Sequence, residues 1–239
     1  MTATDLARRD RVFYLTMAIV ALVVVLAGFS PSFFLAMFNP ESRPLAPIYH
    51  VHGAVFTTWM LLHICQAWLI GRGKVATHMK LGQAGAVLGF VVIIFAFVIT
   101  HHAGVHGLGG PLGTAPDQVQ ALAVPFFDMF VFAPLFIAGL LLRKKSPEAH
   151  KRLMTLATVG GLLGAAIGRA PLFVFEFDRQ LYLTLALLFA GPVYDLVTRR
   201  RIHLAYVFGL IPPLLLLTDM RLAIGATEQW RQFVAWWVG

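Results

Sequence analysis

The sequence predicts an all-α integral membrane bundle of seven transmembrane helices, with the N-terminus cytoplasmic and the C-terminus outside. Three observations predict it. The 239 residues are 59% hydrophobic and only 13% charged, about half the charged share of soluble domains. Several apolar runs approach the ~20 residues that one helical crossing needs. The basic residues gather at alternate ends of those runs, the pattern that orients membrane helices.

The first run follows "ARRDR" and has a signal peptide's order of basic, apolar and small residues. It stays apolar to Phe38, broken only at Ser30-Pro31-Ser32, so an uncleaved span at roughly 12–37 is expected. The second span, roughly 48–70, carries "HVHGAVFTTWMLLHICQAW", and the third, roughly 80–102, follows the basic turn "GRGKVATHMKLG". A Gly- and Pro-rich outer loop at about 103–118 leads to spans at roughly 119–142, 150–174, 180–198 and 203–223. Pro125, Pro134, Pro192, Pro212 and Pro213 are expected to kink their helices. The tail at 226–239 holds three tryptophans in "TEQWRQFVAWWVG", which suits the membrane interface better than another crossing. The whole chain, 1–239, reads as a single domain.

Charge sets the orientation. Of the 19 Lys and Arg residues, 14 fall before span one or between spans two and three, four and five, and six and seven. Arg43, Arg169, Arg179, Arg221 and Arg231 are left for the other side. The net charge of +8 therefore reports topology and contact with the lipid bilayer, and no nucleic-acid partner is implied. The single cysteine, Cys65, excludes an intrachain disulfide and a cysteine-based metal cluster.

Nine histidines remain to be explained, since imidazole is costly in hydrocarbon unless it faces protein, water or a ligand. On span two, His52 and His63 are eleven residues apart, which rotates about 20° and rises about 16 Å. Trp59 and Gln66 share that stripe, whereas His50 points away toward the outer rim. The stripe is either a polar packing seam between helices or the wall of a cofactor site. His78, His150 and His203 each follow a basic turn at the cytoplasmic level. A bis-imidazole b-type haem needs two histidines from different helices at one depth. His78 with His150 meets that requirement, with His203 as a substitute, and His52 with His101 or His102 meets it on the outer side. Gly82, Gly85 and Gly89, or Gly160, Gly164 and Gly168, would admit a flat macrocycle. Small residues at this spacing also pack helices or join protomers into a homo-oligomer.

A second constellation is a metal site at the outer rim, from His50, His52, His101, His102 and His106, since zinc, copper and iron all accept imidazole. Asp128, in "VPFFDMFVF", is a carboxylate inside a span, and Arg169 is expected to reach it from span five. That pair reads either as a structural ion pair or as a proton relay bonding a cofactor propionate or a quinone. Asp195 reads as an ordinary (i, i+4) partner of Arg199.

The segments "HVHGAVFTTWMLLHICQAWLIGRGKVATHMKLG" and "SPEAHKRLMTLATVG" resemble a family of uncharacterised bacterial integral membrane proteins. Their shared pattern is H-G, then W and Q on one helix, then an H-[KR]-x-L-G-like turn. The chain is also distantly similar to transmembrane b-type cytochromes and ferric-reductase-like membrane domains. That likeness implies a bacterial inner membrane and nominates His52, His78 and His150 as haem ligands. The expectation is a membrane-embedded b-type haem protein for electron transfer, with a quinone or other redox partner. The alternatives are a membrane enzyme using zinc, copper or iron on a hydrophobic substrate, and a structural or accessory subunit.

Overall fold

The computed structural model describes residues 2–39, 45–108, 115–171 and 176–239, and all their regular structure is helical. Arg43 and residues 172–174 of the expected fifth span lie outside the described residues. Helix α1 (Ala3–Phe29) starts well before its apolar run, on a capping box between Thr2 and Asp5. At Pro31, which has no N–H to continue the ladder, it loosens into a π turn (Ser30–Phe34) and then a 3₁₀ turn (Ala36–Phe38). Helices α2 (Pro47–Gly71) and α3 (Val75–His106) are joined by a tight turn with Gly73 at φ +71°.

Asp117 caps the short α4 (Gln118–Ala121), which leads through Leu122 into α5 (Ala123–Leu142). Helix α6 (Pro147–Leu162) is capped by Ser146 and continues, after a break at Leu163, as α7 (Gly164–Arg169). Helix α8 (Phe177–Arg199) ends on Arg200 in the left-handed region, φ 58°. The remainder is α9 (Leu204–Gly209), α10 (Ile211–Leu215), α11 (Thr218–Gly225) and α12 (Glu228–Val238).

Five helical segments are long and apolar enough to cross a membrane: Thr4–Phe38, Pro47–Gly71, Val75–His106, Gln118–Leu142 and Asp178–Arg199. A sixth is counted if Leu204–Leu215 and Thr218–Gly225, bent by 42° at their junction, form one span. The span expected at 203–223, with kinks at Pro212 and Pro213, is built of three helical pieces. Pro212 and Pro213 donate no backbone hydrogen bond, and the chain turns again at Leu216-Leu217.

The segment at 147–169, broken at Leu163 into helices of 16 and 6 residues, is not among these spans, and its surroundings differ from theirs. Helix α6 packs against α1, α5, α8 and α9 and is buried along most of its length, Arg152 and Thr158 included. Protein, not lipid, surrounds it, so it tolerates polar residues that an outer helix cannot. The outward faces obey the opposite rule: Val87, Ile94 and Val98 on α3 and Val193 and Val197 on α8 are exposed.

Helix α12 returns across the ends of α3 and α4. The interfacial tail expected from its tryptophans is only partly so. Trp230 is buried with Leu122, Ala123 and Val234 and donates to the Val119 carbonyl at 2.7 Å, whereas Trp236 stays exposed. Arg231 pairs with Asp117 and fixes the tail to the start of α4. The Gln120 backbone N–H and the Arg231 guanidinium hold the Asp117 carboxyl below its ordinary range.

Glycines set the closest helix contacts. A Cβ on Gly161 would stand 2.7 Å from the Phe132 backbone, and one on Gly28 would collide with the Ala166 carbonyl. Gly161→Val should therefore force α5 and α6 apart, destabilise by about 1–3 kcal/mol and lower the thermal midpoint in detergent. Gly71→Ala, which meets open space, should leave the midpoint unchanged. The Asp117–Arg231 anchor has a pH sign. With its folded pKa depressed, Asp117 contributes above the unfolded value of about 3.9 and loses that contribution as pH falls through the folded value. Amide exchange in α12 should accelerate over that acid range in the wild type, and Asp117→Asn should show the faster exchange already at neutral pH.

Candidate functional site

The α2 stripe faces the interior at every level. His52 borders a cavity, Trp59 is buried, His63 is half-buried within electrostatic reach of His150, and Gln66 meets His78. Trp59 Nε1 donates to Thr158 Oγ1 on α6 at 3.3 Å, and its ring stands edge-on to Phe132 and Phe136. His50 is exposed, with Phe33 5.9 Å away.

At the end where α2 stops and α3 and α6 begin, His78 and His150 approach with ring centres 6.4 Å apart and planes at 80°. His150 Nδ1 is 2.8 Å from the Gly139 carbonyl, which belongs to the last turn of α5 and has no helical donor. A carbonyl only accepts, so Nδ1 carries the proton and Nε2 keeps its lone pair. The Gln66 amide lies against His78 Nδ1, 2.5 Å away; oriented to satisfy both its ends, it donates through nitrogen to Nδ1 and accepts through oxygen from the Gly82 N–H at 3.0 Å.

His203 is used differently. Its Nδ1 accepts from the Ala205 N–H at 3.0 Å and caps α9, while its own N–H donates to Asp195 Oδ2 at 3.2 Å. His203, expected as a substitute ligand, thus uses Nδ1 as a helix cap.

The outer histidines do not converge. His101 Nε2 donates to the Trp237 carbonyl at 3.1 Å. His102 stacks on His106 at 4.2 Å and meets Tyr49 at 5.5 Å, and His106 Nδ1 donates to the His102 carbonyl. The His52 ring instead lies on Phe56, 4.1 Å away. Of the expected outer His52–His102 pair, His52 thus rests against Phe56, and His102 against Tyr49 and His106. Among the described residues no three His, Cys, Asp or Glu side chains form a metal-binding group. One reason is helical: His50 and His52 leave α2 on opposite sides.

The expected macrocycle slot along α3 is largely filled. A Cβ on Gly85 would meet Leu62 at 2.9 Å, and one on Gly89 would run into the Phe136 ring. Only Gly82 has room, with the Gln66 amide 3.7 Å away. These glycines serve packing first.

Toward the other end lies a cavity of about 320 Å³ whose lining includes His52, Asp128 and Arg169. Asp128 is buried and pairs with Arg221 of α11 at 2.5 Å, while Arg169, the partner expected from the sequence, lies within electrostatic reach of the same carboxylate. Arg221 also donates to the Val124 carbonyl at 3.3 Å. Arg169 donates to the Ala165 carbonyl at 3.1 Å and stacks over Phe29, 5.3 Å from its ring centre.

Sequence reading missed a second buried acid. Asp195 and Arg152 are both 0% exposed and form a bidentate pair, Nε–Oδ2 2.9 Å and Nη2–Oδ1 2.7 Å. Arg152 also donates to Glu148 Oε2 at 2.7 Å. Arg199 bonds Asp195 at 3.1 Å and Asp10 at 2.6 Å, and Lys151 bonds Asp10 and Glu148. Three acids and three bases thus tie α1, α6 and α8 into one balanced network. The available signal was periodicity, since Arg152 shares the α6 face of Thr155, Leu156 and Val159, all buried.

Comparison of the chain with family models, curated proteins and solved structures finds no match.

Removing one member of the buried pair strands the other. Arg152→Met should destabilise the protein by about 3–5 kcal/mol, and Arg152→Met with Asp195→Leu should recover much of that. Thermal melts of the two variants in detergent measure it.

Proposed function

We propose that this chain is a seven-span, inner-membrane electron-transfer protein that holds a b-type haem between His78 and His150. The observation that carries the reading is the His78–His150 geometry. The two imidazoles come from different helices at one level with ring centres 6.4 Å apart, and would hold the group between them as two histidines hold a haem. A bare catalytic metal takes three or more protein ligands, whereas a porphyrin supplies four nitrogens and needs only two more. The absence of a third converging ligand among the described residues therefore favours haem over zinc, copper or non-haem iron.

The chain's own groups fit that task. The Gly139 carbonyl holds His150 in the tautomer with Nε2 free, the usual outer-shell device for an imidazole ligand. Gln66 lies against His78 Nδ1, and rotating its amide by half a turn would let its oxygen accept Nδ1–H and free Nε2 there too. His63, His78 and His150 are each only half-buried, and of Gly82, Gly85 and Gly89 it is Gly82 that has room beside it. Bound haem would supply a one-electron couple. For topology, the network of Asp10, Lys151 and Arg199 brings the N-terminal end of α1 beside the basic ends of α6 and α8. That proximity supports 147–169 as the fifth crossing, with the N-terminus cytoplasmic and the C-terminus outside.

Protein purified in mild detergent after haem-supplemented expression should show Soret and α bands that change on dithionite reduction. His78→Ala and His150→Ala should each abolish them, and Gln66→Leu should weaken haem affinity roughly 10–100-fold. His101→Ala should keep the full spectrum. A featureless wild-type spectrum would reject the haem reading, and metal analysis of that sample would then decide between a metal enzyme and a structural subunit.

A further inference from the structure

The cavity bordered by His52 lies at the opposite end of the α2 stripe from His78 and His150, and the haem reading leaves it without a task. It opens among α1, α2, α3, α5 and α7, and its walls include Phe29, Phe33, Phe56, Met60 and Met129. Its volume of about 320 Å³ is at the small end for ligand pockets. It suits one substituted ring with the start of an apolar tail, and it is too small for a two-chain lipid.

The decisive polar group is His52. Its Nδ1 is buried without a hydrogen-bond partner, and an unmet ring nitrogen in an apolar setting costs about 1–3 kcal/mol. The Asp128 and Arg169 side chains line the same space, and Arg169 is within electrostatic reach of both His52 and Asp128. The polar groups therefore belong to one compartment whose remaining surface is mostly apolar, with aromatic rings and thioethers among aliphatic side chains and the hydroxyl residues Ser32, Tyr49, Thr57 and Thr100. A surface so largely apolar suits a ring with few polar groups better than a sugar or nucleotide, and the flat faces of Phe29, Phe33 and Phe56 favour a planar ring over a bent chain.

We propose that this cavity binds the head group of a quinone-class lipid, with His52 Nδ1 as its hydrogen-bond partner. A neutral imidazole serves both forms of such a ring: protonated at Nδ1 it donates to a quinone carbonyl, and in the other tautomer it accepts from a quinol hydroxyl. Binding of an oxygen-bearing ring follows from the cavity alone; the choice of a redox-active ring rests on the haem reading.

The test uses the full-length protein in detergent with a decyl-substituted benzoquinone, whose binding is measured by equilibrium dialysis corrected for partition into empty micelles. The spectrum of the same sample is recorded. Saturable binding of one quinone per chain is expected, at least tenfold weaker in His52→Phe and in Thr57→Phe, which fills the cavity and leaves His52 in place. His101→Ala should bind as wild type. Decanoate, which has the tail without the ring, should not displace the quinone at equal concentration.

Binding no greater than micelle partition, or unchanged affinity in both Phe variants, would overturn the proposal; so would displacement by decanoate, which would make the site a tail pocket. If His52→Phe does not fold, Thr57→Phe alone decides. Saturable, His52-dependent binding in a sample without haem bands would sustain the cavity assignment while the haem reading falls, and haem bands without quinone binding would do the reverse.

Discussion

A guanidinium and a carboxylate taken fully out of water are stable only when each meets the other with its remaining hydrogen-bonding sites satisfied. Arg152 and Asp195 meet that condition through two direct bonds, with Glu148, Arg199 and the His203 N–H completing the set. The rest of the molecule is arranged around this requirement. It fixes α6 to α8, sets where the chain leaves α8 for α9, and recruits α1 through Asp10, which accepts from Arg199, Lys151 and the Tyr194 hydroxyl. A helix bearing Glu148, Lys151 and Arg152 is a poor lipid-facing element, and enclosing it on several sides is the physical answer.

Enclosure of α6 also positions both candidate sites. Its first turns carry His150 to the Gly139 carbonyl and to the edge of His78. Its middle presents Thr158 to Trp59, and Gly161 lets α5 come close enough to seat Phe132 and Asp128. Its continuation, α7, sends Arg169 into the cavity. One helix thus relates the two levels, and a shift in its depth would move both together.

The parts of this arrangement legible in the sequence are those set by one helix at a time. Apolar length located the long helices, and the 3.6-residue period selected the His52–Trp59–His63–Gln66 face of α2 and left His50 on the rim. What escaped needed two helices and the turns between them. Asp128 finds Arg221 because the helix is interrupted at Leu210, just ahead of Pro212-Pro213, and again at Leu216-Leu217 before α11, which a hydropathy run cannot express. Asp195 looked sufficient with Arg199 four residues on, and that local pair does exist; it masked the stronger partner, which is 43 residues away. The glycines of α3 read equally well as a slot or as packing, and only Leu62 and Phe136, from two other helices, decide between them.

The α2 stripe looks on paper like a polar file through the membrane, and its chemistry argues that it is two separate sites. Between His52 and His63 the interior-facing group is Trp59, whose indole N–H donates and has no lone pair with which to accept. That N–H is committed to Thr158 Oγ1, and the Thr158 hydroxyl is committed in turn to the Met154 carbonyl at 3.1 Å. A proton relay needs each member to accept on one side and donate on the other; the indole cannot accept, and the Thr158 hydroxyl passes its hydrogen bond only to a backbone carbonyl. Phe132 and Phe136 pack against the indole and close the same level to water. Protons taken up or released at His52 and Asp128 must therefore exchange on the cavity's own side, while the imidazoles at His78 and His150 exchange on theirs. On the haem reading proposed above, an electron, which tunnels through packed side chains without a hydrogen-bonded path, would be under no such restriction, and the indole level would part the two kinds of charge.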